Sequence, residues 1–340
     1  MEVAIFSTKP YDKQFLEEAN QKFGHKLHFF EDSLTDETVV FTQHIDAICV
    51  FVNDRINAEL ITKLARNNVK LIALRCAGFN NVDIEAAASH GIKVVRVPAY
   101  SPYAVAEHTL AMILTLNRKT HRAFNRVRES NFSLNGLMGF DLNGKTVGVI
   151  GTGRIGAIFC NMMQGLGCNV VAYDPYPTEE LKNKGIEYKS LPDLYKVSDI
   201  IALKCPLVPE THHLINDEAV KQMKKGVMLI NTSRGGLIDT EALVKGLKSG
   251  IIGYLGIDVY EQEEDIFYKD LSDTIIKDDV IMRLITFPNV LITSHQAFFT
   301  DTAMRNISDT TLNNIAEFDK GEALSNEVMP KQTKEKIAKQ

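Results

Sequence analysis

The sequence contains no apolar run near the roughly 20 residues that a transmembrane helix requires, so a membrane-spanning protein is not expected. It also has no excess of positive charge, since 38 Lys and Arg residues stand against 43 Asp and Glu residues, a formal net charge of −5. This balance argues against a general affinity for nucleic acid or anionic membranes, although it is compatible with a local basic pocket. We therefore expect neither nucleic acid nor a membrane among the partners.

Cysteine is scarce and follows no recognisable pattern. The five cysteines are Cys49, Cys76, Cys160, Cys168 and Cys205. Their number is odd, and they form neither a CxxC motif nor a metal-ligand spacing, so we predict no disulfide framework and no metal site. Four lie in apolar stretches, where a free cysteine is most often a small core residue. Because the N-terminal residues also do not resemble a secretory signal, we expect a reducing, cytoplasmic location.

Apolar, β-branched runs alternate with helical patterns through most of the 340 residues. This alternation predicts an α/β protein with parallel sheets built from βαβ units, and the length favours two domains. Predicted strands lie at 3–7, 26–30, 47–52, 70–76 and 93–98, and again at 146–150, 169–174, 199–205, 226–232, 253–260 and 289–294. Between the two series, a long helical pattern from about 102 to 124 predicts a bridge between domains, and a further helix is expected at 301–318.

The second strand series begins with a glycine-rich turn, GTGRIG, between a strand and a helix. In this G-x-G-x-x-G pattern, Gly151 permits the tight turn, Gly153 lets the backbone approach a pyrophosphate, and Gly156 lets the helix pack on its strand. The unpaired N–H groups near Arg154 and Ile155 can then hold phosphate oxygens. The pattern predicts a dinucleotide site, although a purely packing role for the glycines is the alternative.

An acidic residue ends the next predicted strand. Asp174 lies 23 residues after Gly151, close to the position where a carboxylate binds the adenine ribose of a dinucleotide. A carboxylate there would repel a 2′-phosphate, so the sequence favours NAD over NADP.

Three residues with catalytic potential follow successive strands of this second series. Arg234, Glu263 and His295 are spaced 29 and 32 residues apart, about one βα unit each. Each has an ordinary structural interpretation, but the carboxyl ends of parallel strands meet at one edge, where ligands bind. There, an arginine can hold a carboxylate with its guanidinium fork. A histidine beside a carboxylate can donate a proton to a carbonyl oxygen. The trio suits reduction of a 2-oxo acid.

Motifs along nearly the whole chain resemble the D-isomer-specific 2-hydroxyacid dehydrogenases, and within them the fermentative NAD-dependent D-lactate dehydrogenases. The motifs are AIFSTKPYD, RCAGFNNVD, VPAYSPYAVAEH, GKTVGVIGTGRIG, INTSRGGLIDTEAL, GIDVYEQE and HQAFFT. The resemblance implies two Rossmann-like or flavodoxin-like parallel-sheet domains. It divides the chain into a discontinuous substrate domain, residues 1–100 and 299–340, and an NAD-binding domain, residues 101–298.

The resemblance also implies specific site residues. The family's catalytic arginine, glutamate and histidine correspond to Arg234, Glu263 and His295. Substrate contacts are implied for Ala77, Gly78, Tyr100, Arg234, His295 and Phe298. Cofactor contacts are implied for Gly151, Gly153, Arg154, Ile155, Gly156, Asp174, Cys205, Pro206, Thr211, Thr232, Ser233, Arg234 and Asp258. Thr211 stands where relatives often have asparagine, which weakens that assignment.

The acidic stretch GIDVYEQEED then divides by role. Asp258 becomes a cofactor-site residue near the nicotinamide carboxamide, and Glu263 the partner of His295. For Glu261, Glu264 and Asp265, the ordinary interpretation of a solvated acidic loop is retained. No role is predicted for the 261–282 connection as a whole.

The activity implied by the resemblance is reversible reduction of pyruvate to D-lactate by NADH, in a homodimer or homotetramer. One alternative keeps the chemistry but takes a branched or aromatic 2-oxo acid, because one methylene in a pocket changes binding by only about 1–3 kcal/mol. A second alternative, from another class, is an NAD-sensing binding protein with negligible turnover.

Overall fold

The computed structural model describes residues 1–263 and 266–330. Its backbone forms two compact units, one from Met1–Ser101 together with the described chain from Phe299, and the other from Pro102–Phe298. Both units contain a wholly parallel sheet. The predicted fold class, two parallel-sheet α/β domains with the first discontinuous in sequence, is confirmed. Within the described residues, no helix has both the length and the apolar character to cross a bilayer.

The first unit has a five-stranded sheet in the order β2-β1-β3-β4-β5, which is the flavodoxin-like order. Its strands are β1 (Glu2–Ile5), β2 (Lys26–Phe29), β3 (Ala47–Val50), β4 (Leu71–Leu74) and β5 (Lys93–Arg96). Its helices are α1 (Pro10–Asn20), α2 (Ala58–Arg66), α3 (Ile84–Ser89) and, after the second unit, α12 (Asp301–Asp319). Strands β3 and β4 are buried at every position, because helices cover both faces of the sheet.

The second unit has a seven-stranded sheet in the order β12-β11-β10-β9-β6-β7-β8. Read from β8, this is the Rossmann order extended by one strand. Its strands are β6 (Thr146–Ile150), β7 (Asn169–Tyr173), β8 (Glu187–Tyr188), β9 (Ile200–Leu203), β10 (Val227–Asn231), β11 (Ile252–Ile257) and β12 (Val290–Ile292). Its helices are α4 (Pro102–Arg118), α5 (Thr120–Arg128), α6 (Arg154–Gly165), α7 (Glu179–Asn183), α8 (Leu191–Val197), α9 (Asp217–Gln222), α10 (Thr240–Ser249) and α11 (Asp279–Thr286). The strand order reverses between β6 and β9, which is where open α/β sheets bind ligands.

Side-chain caps set several helix starts as sequence rules expect. Asp83 accepts a hydrogen bond from the backbone N–H of Ala86, and Asn57 accepts one from Leu60 at the start of α2. The predicted helix from 102 to 124 was only partly right. The chain leaves helical geometry at Lys119, whose φ of 51° is left-handed, and α5 begins at the next residue. No glycine or proline marks this break, so local sequence rules could not locate it.

Candidate active site

The glycine-rich turn lies at the reversal of strand order, between β6 and α6. Gly151 has a φ of +97°, and a Cβ there would lie 2.5 Å from the backbone nitrogen of Cys205. A Cβ on Gly156 would lie 2.0 Å from the carbonyl oxygen of Gly151. By contrast, a Cβ on Gly153 would meet no atom within 4 Å. The first and third glycines therefore allow close packing, whereas the second faces open space, as a bound pyrophosphate requires.

Asp174 follows β7 and faces the same turn. One oxygen of its carboxylate accepts hydrogen bonds from the backbone N–H (2.6 Å) and the hydroxyl (3.0 Å) of Thr152. The other accepts the N–H of Tyr176 at 2.8 Å. The carboxylate is only half-buried, so its remaining lone pairs can accept ribose hydroxyls. With Arg154 exposed and Ile155 half-buried at the start of α6, these residues fit a dinucleotide.

Arg234 follows β10 and precedes a 3₁₀ turn at Gly235–Leu237. Buried Asn231 holds this segment from both sides. Its side chain accepts the N–H of Ser233 at 3.0 Å and donates to the carbonyl of Arg234 at 2.8 Å. The Ser233 hydroxyl also donates to the carbonyl of Leu203 on β9, at 2.8 Å. The backbone that carries Arg234 is therefore fixed at the ends of two adjacent strands.

Glu263 and His295 form a direct pair. The Nδ1 atom of His295 lies 2.8 Å from Oε1 of Glu263, although they are 32 residues apart. The other carboxylate oxygen accepts the backbone N–H of Tyr260 at 2.9 Å. Because Nδ1 faces the carboxylate, Nε2 is the ring nitrogen positioned to exchange a proton with another molecule. His295 has a φ of 50°, an uncommon value for a residue other than glycine.

Asp258 organises the loop that carries His295. The side chain is fully buried and accepts hydrogen bonds from the Thr293 hydroxyl at 2.5 Å and from the backbone N–H groups of Gln296 and Ala297, both at 2.9 Å. Its carbonyl accepts the N–H of His295 at 2.8 Å. Contact of Asp258 with the nicotinamide stays a prediction.

His108 of α4 completes the surroundings of Asp258, with Nε2 at 3.5 Å from the carboxylate and 3.1 Å from the Thr293 hydroxyl. Burial alone would raise the pKa of Asp258. Hydrogen bonds from His108, Thr293 and Ala297 outweigh burial, and the pKa lies below its ordinary value. The carboxylate is therefore charged inside the protein.

Lys204 lies directly after β9 and is half-buried. Its amine donates to the hydroxyls of Thr109 and Thr232, which also contact each other at 2.9 Å. Burial lowers the pKa of Lys204 to about 7, although the charge of Asp258 partly opposes this shift. Thr232, a predicted cofactor residue, is 7% exposed. Its hydroxyl accepts a hydrogen bond from the Lys204 amine.

The segment after Lys204 contains the other predicted cofactor residues of this edge. Burial raises the pKa of the Cys205 thiol to about 11, so it is neutral at physiological pH and unsuited to nucleophilic chemistry. The hydroxyl of Thr211 donates to the carbonyl of Pro206 at 2.7 Å and accepts the N–H of Val208 at 2.9 Å. Thr211 thus stabilises its own turn, and its contact with a cofactor stays a prediction.

The predicted substrate residues lie in different units. Ala77, Gly78 and Tyr100 belong to the first unit, whereas Phe298 is the last residue of the second. The carbonyl of Ala77 accepts a hydrogen bond from Arg96 at 2.7 Å, and that of Gly78 accepts the Cys76 thiol at 3.2 Å. These bonds fix the loop after β4.

One prediction for the acidic stretch is wrong. Glu261 is not merely a solvated loop residue, because its Oε1 lies 2.6 Å from Nε2 of His213 and its Oε2 accepts the Thr240 hydroxyl at 3.1 Å. The pairing was missed because His213 is 48 residues away and belongs to a loop. Glu264 and Asp265 lie outside the described residues.

Sequence reasoning also missed three polar residues beneath the site, namely His108, Thr293 and Lys204. The one available signal was the lysine in the apolar run IIALKC, since a charge directly after a buried strand is unusual. His108 and Thr293 carry no comparable signal, because their contacts with Asp258 join distant parts of the second unit.

Residues 110–297 match the sequence profile described as "D-isomer specific 2-hydroxyacid dehydrogenase, NAD binding domain". The chain is 51% identical over 329 residues to a D-lactate dehydrogenase of Escherichia coli strain K12, covering 97% of this chain and all of that one.

The chain belongs to the D-isomer-specific 2-hydroxyacid dehydrogenase family.

Solved structures of the family agree with this assignment. A pyruvate reductase of Chlamydomonas reinhardtii superposes with a TM-score of 0.92 at 46% identity, covering 96% of this chain and 98% of that one. A D-lactate dehydrogenase of Aquifex aeolicus, solved with NAD and lactic acid, gives a TM-score of 0.85 at 38% identity, covering 97% and 99%. The predicted family, oxidoreductase class and NAD cofactor are confirmed.

Proposed function

We propose that this dehydrogenase reduces pyruvate to D-lactate with NADH, and catalyses the reverse reaction with NAD. The observation that carries the proposal is the 2.8 Å pair of Glu263 and His295 at the strand ends of a dinucleotide-binding sheet. Similarity over nearly the full chain to enzymes described as D-lactate dehydrogenases and as a pyruvate reductase supports pyruvate as the substrate.

In this proposal, His295 is the general acid of the reduction. Its Nε2 donates a proton to the carbonyl oxygen of the substrate, and it takes the proton back in the oxidation. Glu263 binds the opposite nitrogen, which fixes the ring orientation and stabilises the imidazolium electrostatically. When bound, NADH supplies the hydride that the carbonyl carbon accepts.

Arg234 binds the substrate carboxylate and polarises its carbonyl. A guanidinium offers several N–H donors in a planar fork that matches a carboxylate. The backbone at Arg234 is held by Asn231 and the 3₁₀ turn. Nη1 of the guanidinium donates to the carbonyl of Ser233 at 2.7 Å, and the other N–H groups are proposed to bind the substrate. As the family resemblance implies, we also propose substrate contacts for Ala77, Gly78, Tyr100 and Phe298.

The cofactor is held by the second unit, in an arrangement that the open space at Gly153 supports. Backbone N–H groups at Gly153, Arg154 and Ile155 bind the pyrophosphate, and Asp174 binds the adenine ribose. The remaining cofactor contacts come from Cys205, Pro206, Thr211, Thr232, Ser233 and Asp258. We further propose the domain roles that the sequence predicts, with residues 1–100 and 299–340 as the substrate domain and residues 101–298 as the NAD-binding domain.

We also infer that the enzyme is a homodimer or homotetramer associated through the second unit. Apolar side chains on α5 and the segment after it are strongly exposed, with Phe132 at 74%, Leu134 at 81% and Met138 at 87%. A second copy of the chain would remove these surfaces from water. Light scattering of Leu134→Asp with Met138→Asp should give a lower mass than the unaltered chain; an unchanged oligomer contradicts this interface.

The experiment for the proposed function is NADH oxidation by the purified protein with a panel of 2-oxo acids, followed by chiral analysis of the product. Pyruvate should give the highest kcat/KM and D-lactate as the product. A clear preference for a branched or aromatic 2-oxo acid would contradict the substrate assignment, and an L-hydroxy acid would contradict the stereochemistry. Tight NADH binding with negligible turnover of every substrate would instead support an NAD-sensing role.

A further inference from the structure

A second cluster of potential ligands lies outside the proposed catalytic pair. His212 and His213 follow the 3₁₀ turn at Pro209–Thr211, and Glu261 follows β11. One ligand atom from each of the three residues lies within 4.8 Å of the others. Across residues 1–263 and 266–330, this is the one group of three or more histidine, cysteine or acidic residues with that proximity. The proposed reaction assigns no role to these three residues.

The three side chains have the chemistry of a zinc ligand set. Two imidazoles and one carboxylate are ligands that Zn²⁺ commonly takes, at about 2.0–2.2 Å, with a fourth position open to water. Ligand atoms around a tetrahedral ion with such bonds are separated by roughly 3.3 Å. The His213 Nε2 and Glu261 Oε1 atoms are already 2.6 Å apart, and the two imidazole rings are 3.9 Å apart between centroids. His212 is exposed, so its side chain is free to rotate and bring the third ligand atom closer to the other two.

The surroundings of the carboxylate strengthen this interpretation over a simple ion pair. The hydroxyl of Thr240 donates to Oε2 of Glu261 at 3.1 Å, which orients the carboxylate as outer-shell partners do at metal sites. The backbone N–H of His213 donates to the carbonyl of Gly236 at 2.9 Å, so the histidine turn is anchored. An ion pair needs only His213, whereas the stacked and exposed His212 adds a ligand and leaves the site open to solvent.

We propose that His212, His213 and Glu261 bind Zn²⁺ or a similar divalent transition-metal cation. The site is distinct from the Glu263–His295 pair, but it adjoins the same segments. A Cβ on Gly235 would lie 2.1 Å from the backbone of Tyr260, so the turn after Arg234 packs directly against the strand end that precedes Glu261. A metal ion there would connect the histidine turn to this strand end.

The test is a titration of the untagged, full-length protein with Co²⁺, followed by competition with Zn²⁺. We expect one equivalent of Co²⁺ to give visible d–d bands of a low-coordinate nitrogen and oxygen site, and Zn²⁺ to remove them. A strong near-ultraviolet thiolate-to-cobalt band would place the ion at a cysteine and would overturn the proposal. So would the absence of any visible band.

Variants locate the ion. His212→Ala should weaken Zn²⁺ binding by roughly 100-fold, the upper range seen even for loss of an outer-shell partner. Glu261→Gln, which keeps the side-chain shape, should weaken it similarly. His90→Ala, which removes an exposed histidine of the first unit, is the matched control and should leave Zn²⁺ affinity unchanged. NADH binding and thermal unfolding of each variant establish that it is folded. Equal affinities in all four proteins would overturn the proposal.

Discussion

Two histidine–glutamate pairs arise from glutamates only two residues apart, and they differ in what surrounds them. Glu261 pairs with His213 at 2.6 Å, and Glu263 pairs with His295 at 2.8 Å. Both histidines have a φ of 50°, and each donates its backbone N–H to a carbonyl. The backbone geometry of the two histidines is therefore nearly the same, but the ring nitrogens differ: Glu263 contacts Nδ1 of His295, whereas Glu261 contacts Nε2 of His213.

The two histidine–glutamate pairs also differ in the residues that surround them. The backbone N–H of His295 is held by the carbonyl of Asp258, whose buried, charged side chain also binds the rest of that loop. His213 has instead a second histidine stacked on it, and its side chain is 34% exposed against 18% for His295. A histidine–glutamate contact is thus not by itself a sign of catalysis. In the proposed mechanism, the strand-end position of His295 and the buried Asp258 carboxylate distinguish the catalytic pair from the pair of Glu261 and His213.

The largest expected effect comes from removing the imidazole of one pair at a time. His295→Ala should lower kcat by about 10²–10⁴-fold, the usual contribution of a general acid, with NADH affinity retained. His213→Ala should leave kcat within about threefold, because that ring exchanges no proton with the substrate. Steady-state kinetics with pyruvate and NADH fluorescence titration measure both. Comparable losses of kcat in the two variants would mean that the pairs are not distinct in function.

A smaller effect is expected from neutralising each carboxylate. Glu263→Gln keeps an oxygen near Nδ1 of His295 but removes the charge that stabilises the imidazolium, so kcat should fall about 10–100-fold. Glu261→Gln should change kcat by less than about threefold, because its partner is His213. If Glu261→Gln were the more damaging change, the catalytic glutamate would have been misassigned.

Lys204, which follows β9 near the proposed catalytic site, should reduce the stability of the protein, whereas no such cost is expected at the pair of Glu261 and His213. The pKa of Lys204 is about 7 in the folded chain and 10.5 in its ordinary state. Between these values the unfolded chain binds more protons, so the free energy of unfolding rises with pH from about 7 to about 10.5. Below pH 7 the Lys204 amine is charged in both states, and its desolvation destabilises the folded state by the full amount. Lys204→Met should therefore stabilise the protein by roughly 1–4 kcal/mol at pH 6 and by less at pH 9.

Urea unfolding at the two pH values measures this difference. The Thr109 and Thr232 hydroxyls can still bond to each other in the variant, so no buried hydroxyl is abandoned. A Lys204→Met variant that is less stable at pH 6 than the unaltered chain would show that the ammonium is a net stabilising group.

The smallest effect is expected at Thr240, the hydroxyl donor to Glu261. Thr240→Val removes one hydrogen bond to a half-exposed carboxylate without changing the shape of the side chain, and should cost about 0.5–1.5 kcal/mol of stability. Because this hydroxyl contacts Glu261 and neither Glu263 nor His295, kcat should not change. Thermal unfolding and steady-state kinetics measure both quantities, and a lower kcat would show that the two pairs are coupled.

The parts of the molecule that could be predicted are those that local patterns determine. The positions of the strands along the chain follow from periodicity, and the glycine-rich turn follows from backbone limits at Gly151 and Gly156. The strand ends that contain Arg234 and His295 follow from the same pattern. The choice of Glu263 among five acids came from family resemblance, since composition alone gives all five the same interpretation.

The features that escaped prediction depend on contacts between distant segments. The break at Lys119, the pairing of His213 with Glu261 and the contacts of His108 with Asp258 are each set by tertiary packing. A solvated glutamate and a paired one have the same sequence neighbours. No local rule therefore separates them.

A double-mutant cycle on each pair tests the central claim most directly. The rate ratio kcat/KM for pyruvate would be measured for His295→Ala, Glu263→Gln and the double variant, and likewise for His213→Ala, Glu261→Gln and their double variant. If Glu263 acts through His295, the effect of Glu263→Gln disappears in the His295→Ala background, and the second cycle shows no significant loss at any corner. Additive losses in the first cycle, or a strongly coupled loss in the second, would contradict the account.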